Sequence, residues 1–482
     1  MDLNKTLPEK PSGKSLDADQ FIKPFENILL GRDAGGAITT GGNNVIIGKL
    51  AGDGFTANTT MTLIGSEAGT AINSNNANGT VAVGYQSLVA LTSGATNTAL
   101  GTRSGDAATT ASGSVFLGNN AGGTVTTGND NIAIGLNAIN GGTTTGDNNI
   151  AIGTQAMDAV TSGHDNIGIG HEAHTRLTTG IHNIAMGFNA HAQNAVTGNY
   201  NVAIGFFALG DDAGGSNNVA IGYTAGRDQI GVSGSVFIGE NAGHSVSTGQ
   251  QNIAIGKDAL NGGTTTGAGN IAIGVNTGDA LTSGHSNVLV GLSTGNDLTS
   301  GFHNVGLGSF ALDEASDVDY VVAIGFAAGS GVLTSDADSS VFIGNESGIS
   351  MTSGQANVAV GYQTLKDEDD GDYNTAIGYQ ALADQAGVSG EVANTAVGYR
   401  AGYSVTTGIR NTIVGMSAAA STLLVDNIVA IGYGAGNGVM TADADGTVAV
   451  GMSSMNSLTS GQYNVAVGYH SLKSLATGDD NI

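Results

Sequence analysis

Apolar positions recur along this chain with a short, fixed period. Residues 131–135 read Asn-Ile-Ala-Ile-Gly, and residues 149–153, 252–256 and 270–274 repeat them letter for letter. Residues 44–48, 201–205, 357–361 and 464–468 are close variants. The closing glycine recurs from Gly31 to Gly468, 26 times, and 18 of the 25 intervals are 17 residues long. A period this short, held this long, describes stacked identical units in which each touches mainly its neighbours. Within a unit, alternation puts Ile132 and Ile134 on one face of a strand and Ala133 on the other. Gly135 makes a corner, and a second short strand is expected to follow it. A turn glycine such as Gly128 stands seven residues before the motif glycine, where the backbone needs either a positive φ or a close approach.

The pattern predicts an all-β fold, a parallel β-roll or β-solenoid of about 17-residue coils. The isoleucine face is expected to fill each coil, with Ile132, Ile134, Ile150, Ile152, Val202 and Ile204 as core. The opposite face is apolar as well: Ala133, Ala151, Ala185, and Phe116, Phe237 and Phe342 at the same position. A strand without a polar face is buried on both sides. Ala133, Ala151 and Ala185 are therefore expected to face other chains in a cyclic assembly, a homotrimeric rod.

Residues 1–26 differ in character. They hold Pro8, Pro11 and Pro24, all the prolines, and four of the 14 basic residues. This segment is expected to serve as an attachment peptide and to cover the first strand edge. Residues 27–482 form the repeat rod. The sequence stops inside a repeat at Ile482, so the chain is expected to continue. A longer period overlies the short one: residues 140–146 recur at 261–267, and 114–118 at 235–239 with one change, a shift of seven coils.

The repeated Asn-x-Ala-Ile-Gly-x-x-Ala, joined by Thr-Thr-Gly turns, resembles the head repeats of trimeric autotransporter adhesins. It is still more similar to the same repeats in bacteriophage tail fibres, and the resemblance covers residues 27–482. It implies a left-handed parallel β-roll assembled as a homotrimer, with core positions falling on pairs such as Ile132/Ile134 and Val465/Val467. The 17-residue period is longer than that of the adhesin heads, and no neck, stalk, membrane barrel or secretory signal is visible. Those departures favour the phage reading. The expected role is a virion structural protein, a shaft that positions a host-receptor-binding tip. The expected partners are other virion or tail proteins at the N-terminal segment and a host receptor or glycan at a distal region. The alternative is a surface adhesin whose coils bind host or matrix ligands.

Composition narrows the chemistry. The net charge of −26 disfavours nucleic acid and anionic membranes as partners. There is no cysteine, and no apolar run long enough to span a bilayer. Acidic clusters at 313–319, 336–338, 366–372 and 443–445 lack the calcium-loop pattern of alternating oxygens. They are expected to be solvated, with calcium as the alternative. No pair of carboxylates stands out for glycoside hydrolysis, so no catalytic residue, cofactor or metal ligand is expected and the chain is not read as an enzyme. His174 and His191 lie four residues after successive motif glycines and should stack on the surface, a weak metal possibility. The Thr-Thr-Gly rows are too irregular for an ice-binding threonine face.

Overall fold

The computed structural model describes residues 22–23, 26–212 and 214–482. The fold is all-β, a parallel β-solenoid of about 26 turns. The chain divides into two compact units, Met1–Gly234 and Ser235–Ile482.

Each coil contributes one short strand to the main sheet, four residues long at Asn27–Leu30 and three residues long in the later coils. In the first unit each strand from Asn27–Leu30 to Val219–Ile221 pairs in parallel with the next, and Ile132, Ala133 and Ile134 lie opposite Ile150, Ala151 and Ile152. The second unit repeats this arrangement from Val236–Ile238 to Val465–Val467. The ladder is regular: the Ile132 amide donates to the Asn149 carbonyl at 2.8 Å, and Gly153 donates to Ile134 at 2.7 Å. At the start, Ile22 and Lys23 pair antiparallel with Ile28 and Asn27, so part of the N-terminal segment does cover the first edge. Residues 1–21, 24 and 25, including all three prolines, lie outside the described residues, and the attachment role assigned to them is untouched by the structure.

The strand faces are the reverse of those expected. Ala133, Ala151 and Ala185 are fully buried inside their own coils, as are Phe116, Phe237 and Phe342 at the same position. Ile132, Ile134, Ile150, Ile152, Val202 and Ile204 lie on the outer face and are partly exposed. The reason is the thinness of the coil. One central side chain from the strand shares the interior with Ala138, with Ile139 or its equivalent, and with a turn aliphatic such as Val125. That space admits alanine opposite a leucine or isoleucine, and the period of two sends the β-branched pair outward.

Among the described residues no second strand forms directly after the corner. Asn137 and Ile139 adopt left-handed conformations, with φ of 54° and 51°, so this side of the coil is a row of turns rather than a pleat. It is still bonded from coil to coil: Ile139 donates to Ala156 at 3.0 Å and Met157 to Ala173 at 2.9 Å. The motif glycine meets both demands on a corner. Gly135 has φ of +128°, and a Cβ there would lie 2.6 Å from the Gly153 carbonyl oxygen. At the turn, Gly128 has no such φ; a Cβ would meet the Gly146 oxygen at 2.2 Å, so close stacking is what requires glycine.

Where asparagine opens the motif, as at Asn131, Asn149 and Asn166, it is buried and forms its own ladder. Asn149 donates through Nδ2 to Asn131 Oδ1 at 3.1 Å and to the Gly163 carbonyl at 2.9 Å. Its Oδ1 accepts from the Asn166 amide and Nδ2 at 3.2 and 3.0 Å. Each buried polar atom of the side chain is thereby satisfied, and strand is tied to turn on the next coil.

Longer intervals are absorbed between the corner and the turn. The 18-residue coils add an isolated bridge, Val125 to Thr144, Leu177 to Val196 and Val246 to Thr265. The 19-residue coils carry short 3-10 helices at Asn75–Ala77, Ser335–Ala337 and Ala442–Ala444. The 20-residue interval carries Gly390–Glu391, paired in parallel with Gly371–Asp372.

Candidate interaction face and buried polar groups

The strand's outer face continues past the glycine corner into the next residue, which is commonly large and apolar. In the first unit this position holds Leu136, His171, Phe188, Phe206 and Tyr223 in its later coils, whereas the earlier coils carry mainly polar residues such as Arg32, Lys49 and Asn119; Phe188, Phe206 and Tyr223 are 41, 40 and 54 % exposed. Their rings stack from coil to coil. His171 to Phe188 is 5.3 Å, Phe188 to Phe206 is 5.3 Å and Phe206 to Tyr223 is 5.1 Å between centroids, with planes within 11° of parallel. The second unit has its own row, Tyr362, Tyr379 and Tyr399, spaced 5.0 and 5.2 Å. With the outer isoleucines and valines beside it, this row makes an exposed apolar stripe on each unit. Stripes of this extent on soluble proteins mark contact surfaces.

A second aromatic row lies on the turn before the strand. His182 stacks on Tyr200 at 5.1 Å and His303 on Tyr320 at 5.3 Å. Asp165 joins the first of these: its Oδ2 lies 2.6 Å from His164 Nδ1 and 3.9 Å from His182 Nδ1. The hydrogen bond from His164 holds the Asp165 carboxyl below its usual range.

The acidic clusters are largely turn staples. Asp338 Oδ1 accepts from the Asp319 amide at 2.7 Å and Asp445 Oδ1 from the Asp426 amide at 2.8 Å, each tying one coil to the next. Lys366 pairs with Asp367 at 3.0 Å. Glu368, Asp369 and Asp370 bring carboxylate oxygens within 4.8 Å of one another, a spacing a cation could bridge. Glu368 is already committed, however. It is buried and accepts from the Gly371 amide at 2.8 Å and from the Gln385 side chain. Burial raises its pKa, so it gives up its proton less readily than an exposed carboxyl.

Sequence reasoning missed that Glu368 is interior. It lies seven residues after a motif glycine, the position of Val125 and Leu177, and so does Asp212. Asp212 accepts from the Gly215 amide at 3.0 Å and the Gly231 amide at 3.3 Å, and burial raises its pKa too. In both coils a carboxylate replaces an aliphatic side chain and closes the turn, with a buried glutamine, Gln229 or Gln385, on the next coil. The matching offset was the readable signal.

His174 and His191 are not on the surface. Both are buried, with ring centroids 5.1 Å apart. Their position is the one filled by Ile139, Met157 and Leu209 on neighbouring coils, and it points inward. Burial lowers the pKa of His191 to about 4; burial, then the neighbouring His191 ring, lowers that of His174 well below its ordinary value.

No protein-family model matches the chain, and no curated protein sequence matches it.

Proposed function

We propose that this chain is a structural fibre protein of a virion, the shaft of a tail fibre or similar appendage, assembled as a homotrimer. The observation that carries the proposal is the apolar outer face of the strands, edged in part of each unit by Phe188 and Phe206 or by Tyr379 and Tyr399. A copy of the same stripe is its natural complement, and closed cyclic symmetry lets every copy cover every other without leaving a free edge. The proposed contact is therefore Ile132, Ile134, Val202, Ile204 and their neighbours, not the alanines. In this reading residues 1–26 dock to other virion proteins, and a distal region meets a host receptor or glycan. The acidic chain keeps assembled shafts apart in solution.

The turn-side row of His182, Tyr200, His303 and Tyr320 favours a second reading. Tyr200 and Tyr320 are 54 and 55 % exposed and lie off the strand face, where an assembly through that face leaves them free to bind a ligand. That would suit an adhesin whose coils themselves make the contact.

Two measurements test the proposal. Sedimentation equilibrium should give three times the chain mass, and a stable monomer at micromolar concentration would defeat it. Gold-labelled antibody against residues 235–482 should decorate projecting appendages on purified particles. Decoration of cell surfaces alone would favour the adhesin.

A further inference from the structure

The interior row that includes His174 and His191 contains a third soft donor. Met157 lies at the same offset on the preceding coil. The backbone fixes the register: Met157 donates to Ala173 at 2.9 Å, His174 to Ala190 at 3.0 Å and His191 to Ala208 at 2.9 Å. The three side chains thus follow one another on consecutive coils, spaced by about the 4.8 Å of a parallel ladder. All three are buried. The end of Met157 lies over Gly168, where a Cβ would meet its Cγ and Cε at 3.1 and 3.2 Å.

None of the four imidazole nitrogens makes a well-formed hydrogen bond among the described residues; the backbone of His191 and Asn183 beside His174, and of Asp212 beside His191, offers only weak polar contact. Leaving a buried polar group unpaired destabilises the fold, and a leucine, as in Leu209 on the next coil, would avoid that cost. The nearby buried carboxylate of Asp212 is taken by Gly215, Gly231 and Asn218. What remains is two imidazoles and a thioether, all buried.

We propose that Met157, His174 and His191 form an intrachain binding site for a soft monovalent d10 cation, copper(I) or silver(I). Ligand chemistry selects the ion. Thioether sulfur and imidazole nitrogen suit copper(I), which is satisfied by few ligands. A structural zinc site wants four ligands and calcium six or more oxygens, and this row supplies neither. Binding forms coordinate bonds from the nitrogen and sulfur lone pairs and involves no redox step. The site lies within one chain, so its test is independent of the proposed trimer.

Silver(I) is the redox-stable probe. The full chain is equilibrated with one equivalent of silver nitrate, in one arm as native protein and in the other during refolding, and then desalted. One silver per chain should be retained in at least one arm. The thermal midpoint should rise, and X-ray absorption should show nitrogen and sulfur neighbours. The His174→Leu/His191→Leu variant, which places in the row a residue its neighbours already use, should fold and lose the retained silver. Met157→Leu should keep the nitrogen neighbours and lose the sulfur. Retention by the wild-type chain no greater than by the double variant in both arms, or an absorption spectrum without imidazole nitrogen, would overturn the proposal.

Discussion

The ring of Phe116 occupies the space that a side chain at Gly122 would need. A Cβ on Gly122 would lie 2.1 Å from Phe116 Cδ1, and one on Gly105 of the preceding coil 2.6 Å from Cδ2. The same relation links Phe342 to Gly348 and Gly329, and Leu289 to Gly295 and Gly278. Where the strand's central residue is alanine, as in Ala133 or Ala151, the position four after the corner is free to hold Ile139 or Met157. A large strand residue thus fills the space at the turn row of its own coil and of the coil before it, and elsewhere the turn row supplies the large side chain, as Ile139 and Met157 do.

This complementarity sets up a double-mutant cycle. Phe116→Ala alone should cost about 3–5 kcal/mol through the cavity it leaves. Gly122→Leu alone should also destabilise, because the ring cannot yield inside a closed coil. Leucine itself tolerates the backbone there: Leu88 adopts φ of 51° at the same offset, against 65° for Gly122. The double variant should recover much of the loss, with a coupling of about 1–3 kcal/mol in chemical denaturation. Additive losses would mean that the two positions do not share one space.

The asparagine ladder predicts a ranking at Asn149. Serine should be tolerated best, since Ser114 already accepts from the Asn131 amide at 3.2 Å at the equivalent site. Alanine leaves the Asn166 amide and the Gly163 carbonyl without partners and should cost about 2–3 kcal/mol. Aspartate sets a buried charge against the Gly163 carbonyl and should be worst at neutral pH, improving as the solution is acidified. Thermal melts of the three variants at pH 7 and pH 5 check the order and its pH dependence.

The buried histidines make stability sensitive to acid. The folded pKa of His191, about 4, lies below its ordinary value of 6.5, and that of His174 is lowered as well. The unfolded chain therefore takes up protons first as pH falls. Stability is full above 6.5, declines below it, and the His191 loss levels off near pH 4 at about 3 kcal/mol. Asp212 and Glu368, raised by burial, act in the opposite sense at the acid end. Comparing metal-free wild type with His174→Leu/His191→Leu isolates the histidines. The double variant's advantage should widen from pH 7.5 to pH 4.5, and a constant difference would contradict the mechanism.

Periodicity made the stack legible, down to the pairing of Ile132 with Ile150 and the placement of insertions after the corner. It was silent on which strand face turns inward, because both are apolar and alternation alone has no sign. The sign was nevertheless present in the sequence. Threonine occurs at the outer positions, as in Thr62, Thr98, Thr375 and Thr412, whereas the central residue is always alanine, glycine, leucine, isoleucine or phenylalanine. Reading size as a guide to burial sent isoleucine inward and alanine outward. The turn row was less accessible. Nothing in Leu88, Ile139 or Met157 announces a left-handed conformation, which is held by bonds to the next coil rather than by local preference. The same error of face put His174 and His191 on the surface.

The reversal of faces changes what a charge does at each strand position. Glutamate at Ala203, which is fully buried, would force an unpaired carboxylate into the coil. Ala203→Glu should therefore lower the melting temperature and strand content whatever the state of assembly. Glutamate at Phe206 meets a different environment. The ring is 40 % exposed and stacks only along the outer row, on Phe188 and Tyr223 and edge-on to Phe207. Phe206→Glu should leave the circular dichroism spectrum unchanged in a dilute single chain. If the stripe is the contact between copies, however, it brings three carboxylates together at one level of the assembly. The variant should then sediment as a smaller species, with dissociation most complete at low salt and near neutral pH. Joint measurement of spectrum and sedimentation separates the two effects. A Phe206→Glu chain that keeps the wild-type mass would remove this row from the interface and leave it free for a ligand.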